Sequence, residues 1–217
     1  MTPPNPTPSP ESGAVLAARA PQQERGQRRV DQIIDAAESV FAEVGVDGAS
    51  MQAIADRADS SVGSLYHFFP NKEAVIEAVG HRFAERVSAV NESAMPLEMA
   101  HIPTEELFER VLSAQMAFIQ QQPSFTAIQD AIQRNCPHIK DALNSALVGH
   151  VVKFLGLRYP RATPQQRQVS AMVSVSTVHA LMHLAAHVPA SMREAVIAEA
   201  KQMLVHHYSE WDARHRK

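Results

Sequence analysis

The chain has little of several things. It has one cysteine, Cys136, in 217 residues. A single thiol excludes an intrachain disulfide and suits a reducing compartment, so a cytoplasmic location is expected. Glycine is scarce at 8 residues, aromatic residues make up 6%, and alternating Val-Ile-Thr runs are almost absent. That composition disfavours strand-rich folds and favours an all-α protein. An excess of one charge is lacking too. The net charge is −3, so any nucleic-acid contact must rest on a local patch. The N-terminus lacks a basic segment followed by an apolar run, and no secretory leader is expected.

What is present is 45% hydrophobic residue content, enough for a substantial core, set at helical spacing. Residues 1–24 are the exception. They hold six prolines and few large apolar groups, and are expected to be disordered. Over residues 1–30, Arg19, Arg25, Arg28 and Arg29 outweigh Glu11 and Glu24, so an arm touching DNA phosphates competes with a solvated tail. A first helix is predicted from Gln27 to Val44, with Ile33, Ile34, Ala37, Val40, Phe41 and Val44 as its apolar stripe and Gly45 as its stop.

The stretch from Ala49 to Ala74 carries the most information. Met51, Ile54, Ala55 and Ala58 mark one face of a short helix. Asp59, Ser60 and Ser61 interrupt it. Val62, Leu65, Tyr66 and Phe69 then repeat the spacing. Ser50 and Ser61 are placed as N-caps, Pro70 as a stop, and Asn71 as the cap of a long fourth helix with Glu73 in its first turn. Two short helices joined by a tight turn form a helix-turn-helix, whose second helix can enter a major groove. Phe41, Ile54, Leu65, Phe68 and Phe69 read as core and say nothing of function. A bare three-helix domain would need neither Gly63 between Ser61 and Ser64 nor the ending Pro70-Asn71-Lys72-Glu73.

These residues, with Ser61-Val62-Gly63-Ser64-Leu65-Tyr66-His67-Phe68-Phe69 between them, resemble the DNA-binding signature of the TetR family of transcriptional regulators over residues 28–80. The resemblance implies a three-helix DNA-binding domain at 25–72 and a larger helical ligand-binding and dimerisation domain at 73–217, about nine helices in all. It implies groove contacts from Val62, Gly63, Ser64 and His67, with Tyr66 on the backbone. Ser50, Ser61 and Lys72 are expected at phosphates, assisted by Arg28 and Arg29. The Val62 position is often basic in that family and is not so here. From Arg28 to Glu73 four basic residues face eight acidic ones, a net charge of −4. The predicted recognition helix itself has no charged residue.

Beyond this unit, Thr104 is predicted to cap a helix through Ile119, a shorter helix to cover 124–134, and Pro137 to open another ending near Tyr159. Thr163-Pro164-Gln165-Gln166 combines an N-cap, a proline at the first helical position and a capping-box glutamine. Ser191-Met192-Arg193-Glu194 offers a second capping box for a last helix through Trp211. The helix between them stands out, because the 25 residues from Gln168 to Met192 include no Asp, Glu, Lys or Arg. Its length would suffice for a membrane, but three histidines and three Ser/Thr residues in its centre, Met172 to Val188, argue against that. A helix apolar nearly all round is expected to be buried on every side, one face on its own domain and one on a second copy. Met172, Val175, His179, Met182 and His183, with Val196, Met203 and Leu204 of the last helix, are the candidate homodimer interface.

His179, His183 and His187 share one face, and such spacing can chelate a metal. No His-Glu-x-x-His and no carboxylate lies in that helix. A metalloenzyme reading therefore lacks acid–base partners, and neither enzyme activity, cofactor nor metal is expected. Phe83, Phe108, Met116, Phe118, Phe125, Phe154 and Tyr159 are candidate contacts for an apolar effector, with Met95 and Met99 beside them. The resulting expectation is a homodimeric regulator released from a near-palindromic double-stranded operator by a small hydrophobic or aromatic ligand. The alternatives are a DNA-bound scaffold acting through a protein partner and a metal sensor using the three histidines.

Overall fold

Apolar residues recurring every three or four positions become helices throughout. The computed structural model describes residues 11–216, and side chains from residue 24 to 216. Among them are α1 (Glu11–Gly48), α2 (Met51–Arg57), α3 (Val62–Phe68), α4 (Lys72–Ala94), α5 (Thr104–Gln121), α6 (Phe125–Asn135), α7 (Pro137–Arg158), α8 (Pro164–His187) and α9 (Ala190–His215), plus a 3₁₀ turn at Leu97–Met99. No strand occurs among the described residues. The all-α expectation holds.

The first helix begins earlier than predicted. Residues 1–10 of the expected disordered tail lie outside the described residues, but α1 already runs from Glu11. The reason is compositional. Five of the six prolines precede Glu11, and the residues after it are rich in Ala, Gln, Glu and Arg, with Gly13, Pro21 and Gly26 against a helix. At the other end Gly45 adopts φ 72°, which only glycine takes freely, so the predicted stop is where the helical backbone breaks before a further turn to Gly48. Ile33, Ala37, Val40 and Phe41 are buried as expected. Val44, the last position of the predicted stripe, is exposed where the chain turns away at Gly45.

Packing places α4 at the centre. It lies against α1, α5, α6 and α7, while α7 and α9 flank α8. Gly80 permits the close approach of α4 to its neighbours. A Cβ there would sit 3.1 Å from Ile139 Cδ1 and 3.3 Å from Ile132 Cγ1. Charge fastens α4 to α1: Arg82 reaches Asp35 at 2.6 Å and Glu38 at 2.9 Å, and Arg86 reaches Glu38 at 3.1 Å. The main apolar core is one cluster from Ile33 in α1 to Tyr208 in α9, and Ala100, Leu107 and Phe154 form a small second one.

Two predicted caps are otherwise engaged. Thr104 does not cap α5. Its hydroxyl donates to the Asp212 carboxylate and accepts from Arg158 at 2.5 Å. Ser191 does not cap α9, which starts one residue earlier, directly after Pro189. Proline's fixed φ sets that start without a side-chain cap.

Candidate nucleic-acid interface and regulatory cavity

Local chemistry builds the helix-turn-helix. Ser50 caps α2 by accepting from the Ala53 amide at 3.1 Å, and Ser61 caps α3 by accepting from the Ser64 amide at 3.1 Å. Between them Asp59 takes φ 48°, the left-handed turn that reverses the chain. Asn71 caps α4 by accepting from the Ala74 amide at 2.9 Å. Leu65 is fully buried and fixes the inner face of α3. Gly63, Tyr66 and His67 are exposed, and Val62 and Ser64 are half-buried. A Cβ at Gly63 would meet nothing within 4 Å, so no contact inside this chain requires glycine there. The outer surface of α3 is therefore small, uncharged and open.

The cations around this surface differ in what holds them. Arg29 donates to the carbonyls of Ala58 at 3.3 Å and Asp59 at 3.0 Å, so its guanidinium closes the end of α2. The Lys72 ammonium donates to the Asp47 carbonyl at 3.1 Å. Arg28 is exposed, 3.8 Å from Glu24. Arg57 pairs with Glu43 at 2.7 Å, and that hydrogen bond holds the Glu43 carboxyl below its ordinary pKa.

Behind the unit, α4 to α9 enclose a cavity of about 200 Å³. Of the predicted contacts, Phe83, Phe108, Phe125 and Phe154 line it, as does Met95. Met116, Phe118 and Tyr159 are buried but do not reach it, and Met99 does not either. Val111, Val151, Val175, Val178 and Met182 extend the apolar wall. The polar lining includes Asn91, Gln115, Gln129, His179 and Arg158. Gln115 donates to Asn91 at 2.8 Å, and the Gln129 amide nitrogen lies 2.6 Å from a ring nitrogen of His179. Loss of solvent around the ring, then the charges of His183 and Lys140, lowers the His179 pKa. These glutamines were missed as site residues, although both stand within apolar helical stripes: Gln115 after Leu112, Gln129 four residues after Phe125.

Two matches decide the family. Residues 33–79 match the model described as bacterial regulatory proteins, tetR family, and residues 103–207 match the tetracyclin repressor-like C-terminal domain. Together they cover well over half of the chain. This chain belongs to the TetR family. The HTH-type transcriptional repressor KstR of Mycobacterium tuberculosis is 35% identical over 83 residues, 38% of each chain. KstR of Rhodococcus jostii is 28% identical over 160 residues, 72% of this chain and 68% of that one. The chain thus spans about two fifths of the length of the first curated relatives it matches, 38% and 40%. A crystal structure of a TetR-family regulator from Streptomyces coelicolor superposes with a TM-score of 0.62 at 26% identity, covering 84% of this chain and 98% of that one. The family is one of bacterial transcriptional regulators.

In this TetR-family chain, α8 has two different apolar faces. Val175, Val178, His179 and Met182 face the cavity. Val169, Met172, Val173 and Leu184 are exposed, as is Met203 of α9. The candidate interface residues divide accordingly. Met172 and Met203 are on the outside, Val196 and His183 are half-buried, Val175, His179 and Met182 line the cavity, and Leu204 is buried within the domain. Helix α8 is long and apolar enough to cross a membrane, but it is packed between α7 and α9.

The three histidines of α8 also divide. His179 meets Gln129, whereas His183 lies 3.6 Å from Asp130 and stacks on His187 with ring centroids 4.2 Å apart. Asp130, His183 and His187 bring one ligand atom each within 4.8 Å of one another, as do Glu77, His81 and His138. Both sets have ligand types that suit a divalent transition metal.

Proposed function

We propose that this TetR-family chain is a homodimeric repressor, acting in the cytoplasm, that leaves a near-palindromic operator when a small hydrophobic or aromatic ligand fills its cavity. Residues 25–72 read DNA, and residues 73–217 bind the ligand and dimerise. The observation that carries this reading is the apolar cavity of about 200 Å³ walled by α4 and α6, both of which pack on α1 of the DNA-reading unit. The Arg82 and Arg86 pairs with Asp35 and Glu38 make a displacement of α4 a displacement of α1. The exposed stripe Val169, Met172, Val173 and Leu184 supports dimerisation, because four large apolar groups on one helix face are costly in water. A two-fold dimer sets its recognition helices about 34–36 Å apart, one helical turn of DNA. Ligand need only favour a different spacing to lower affinity.

Gly63, Ser64 and His67, with Val62 against a thymine methyl, make the groove contacts in this reading, and Tyr66 meets the DNA backbone. Ser50, Ser61, Lys72 and Arg28 hold phosphates, and Arg29 acts through the turn it closes. The test is operator selection from genomic DNA, followed by fluorescence anisotropy with the selected duplex and a panel of hydrophobic compounds. A compound that raises the melting temperature is expected to weaken operator binding at least tenfold. Cavity-filling compounds that leave operator affinity unchanged overturn the reading.

A further inference from the structure

The wall of the cavity carries one polar group whose needs the protein does not meet. Gln129 is 6% exposed, and its Oε1 has no hydrogen-bond partner among the described residues. Its amide nitrogen is taken by His179 at 2.6 Å. The surroundings are apolar: Phe125 and Ile132 on its own helix, Val175, Val178 and Met182 across on α8. A buried amide end without a partner is expensive, and a purely hydrocarbon ligand would seal it off from water.

We propose that the Gln129–His179 pair is the polar anchor of the cavity and takes the hydroxyl of an otherwise apolar ligand. This rests on the ligand-released repressor described above and names the chemistry of its effector. The hydroxyl follows from the amide. With Nε2 toward His179, the open end is the acceptor Oε1. With the amide turned over, the imidazole N–H donates to Oε1 and the open end is an N–H donor. A hydroxyl both donates and accepts, so it satisfies either arrangement. A ketone or ether satisfies only the second. The ring accepts or donates as a neutral imidazole in both arrangements. Of the charged groups in the lining, the Arg158 guanidinium is held by the carbonyls of Ala100 at 2.9 Å and Ile102 at 2.7 Å and by Asp212, while Lys140 and Asp141 are exposed to water and adjacent in the chain.

The anchor is also well placed to act on DNA binding. Gln129 sits on α6, and the next turn of that helix carries Arg134, which lies 3.4 Å from Asp47 at the end of α1. The Asp47 carbonyl in turn accepts from Lys72 at the start of α4. A ligand that draws Gln129 inward moves the helix that touches this junction.

Two series of probes test the anchor on the full chain: 4-alkylphenols and the matching 4-alkyltoluenes, ethyl to octyl, in which a methyl replaces the hydroxyl at nearly constant shape. Isothermal titration gives dissociation constants for the wild type and for Gln129→Met, which keeps the side chain's length. The ratio of toluene to phenol constants is expected to fall about tenfold in the variant, the usual scale for one buried hydrogen bond whose loss strands its partner. If the variant does not fold, the wild type decides alone: phenols must then bind more tightly, relative to toluenes, than partition between octane and water allows. An unchanged ratio, or wild-type binding that merely follows partition, removes the anchor. If toluenes nonetheless bind and release the operator, the repressor reading survives that failure. If no member of either series binds, the anchor and the hydrophobic-effector reading both fall.

Discussion

Arg29 and Asp59 meet across 30 residues of chain, the guanidinium donating to the carbonyl at 3.0 Å. Asp59 is the one described non-glycine residue with a left-handed backbone. The arginine thus clamps the turn that sets α3 against α2. Replacing Arg29 with Met is expected to lower stability by about 1 kcal/mol, the scale of a partly exposed charged hydrogen bond. Asp59→Val is expected to cost about 1–2 kcal/mol, because a β-branched residue strains at positive φ. Urea denaturation measures both. If Arg29→Met left stability unchanged but reduced the salt slope of operator binding by about one unit, Arg29 would be a phosphate contact instead.

Salt dependence tests the surface of α3 directly. Val62–Phe68 contains no Asp, Glu, Lys or Arg, and Lys72 already holds a carbonyl. Few counterions are therefore released on binding. The slope of log K against log salt is expected to be shallower than about −8 for the dimer on its operator, at about −0.9 per neutralised phosphate. A steeper slope would require cationic contacts beyond Arg28 and Lys72.

Arg158 is a second clamp, deeper in the chain. It is 1% exposed, bonds two carbonyls and the Tyr159 hydroxyl, and pairs with Asp212 at 3.2 Å. Arg158→Met would leave the buried Ala100 carbonyl without its donor and take from Asp212 the nearer of its two guanidinium partners, Arg216 remaining at 3.4 Å. The expected loss is on the order of 3 kcal/mol, typical of breaking a buried pair from one side. Arg158→Lys should recover little, since one ammonium cannot reach groups spread around a planar fork. Chemical denaturation of the two variants checks this.

The His179 ring predicts a pH dependence. Its folded pKa lies below the ordinary 6.5, mainly through lost solvation. The unfolded chain then binds the proton more readily than the folded one. The corresponding stability is fully present above the unfolded value near pH 6.5 and is lost as pH falls from there through the folded pKa. The melting temperature measured from pH 7.5 to 5 should decline less steeply in His179→Gln than in the wild type. Equal declines would mean that other groups carry the titration.

The outer stripe of α8 predicts assembly. Val173→Glu places a carboxylate among Val169, Met172 and other exposed apolar groups, where a partner helix would bury it unpaired. Light scattering should show a monomer and anisotropy at least a tenfold weaker operator complex, with the melting curve of the monomer little changed. A Val173→Glu chain that remains dimeric at micromolar concentration would move the interface elsewhere.

Much of the fold was legible because its signals are local. Ser50, Ser61, Asn71 and the Thr163–Gln166 box cap the helices they were read to cap, and Gly45 breaks the first helix where it should. Thr104 and Ser191 look similar in sequence, but one hydroxyl is claimed by Asp212 and the other residue lies just inside a helix begun by proline. The cavity was legible only in part, because a phenylalanine in a stripe looks the same whether it faces a void, as Phe83 does, or another ring, as Phe118 does. The histidine row was legible in part for a related reason, since His183 and His187 stay together beside Asp130 while His179 turns to Gln129. Three residues on one helix face suggest one site, yet neighbouring residues of α6 separate them: Gln129 takes His179 and Asp130 takes His183. Polar residues inside apolar stripes, Gln115 and Gln129, were the sharper sign of a site.

The unbroken core from Ile33 to Tyr208 has a thermodynamic consequence. Residues 25–72 and 73–217 are expected to melt in one transition, so that a ligand filling the cavity would protect both. A chain cut after α3 would leave Ile33, Val40 and Phe41 without the α4 side chains that cover them, so the half that names the family is not a half that can stand by itself.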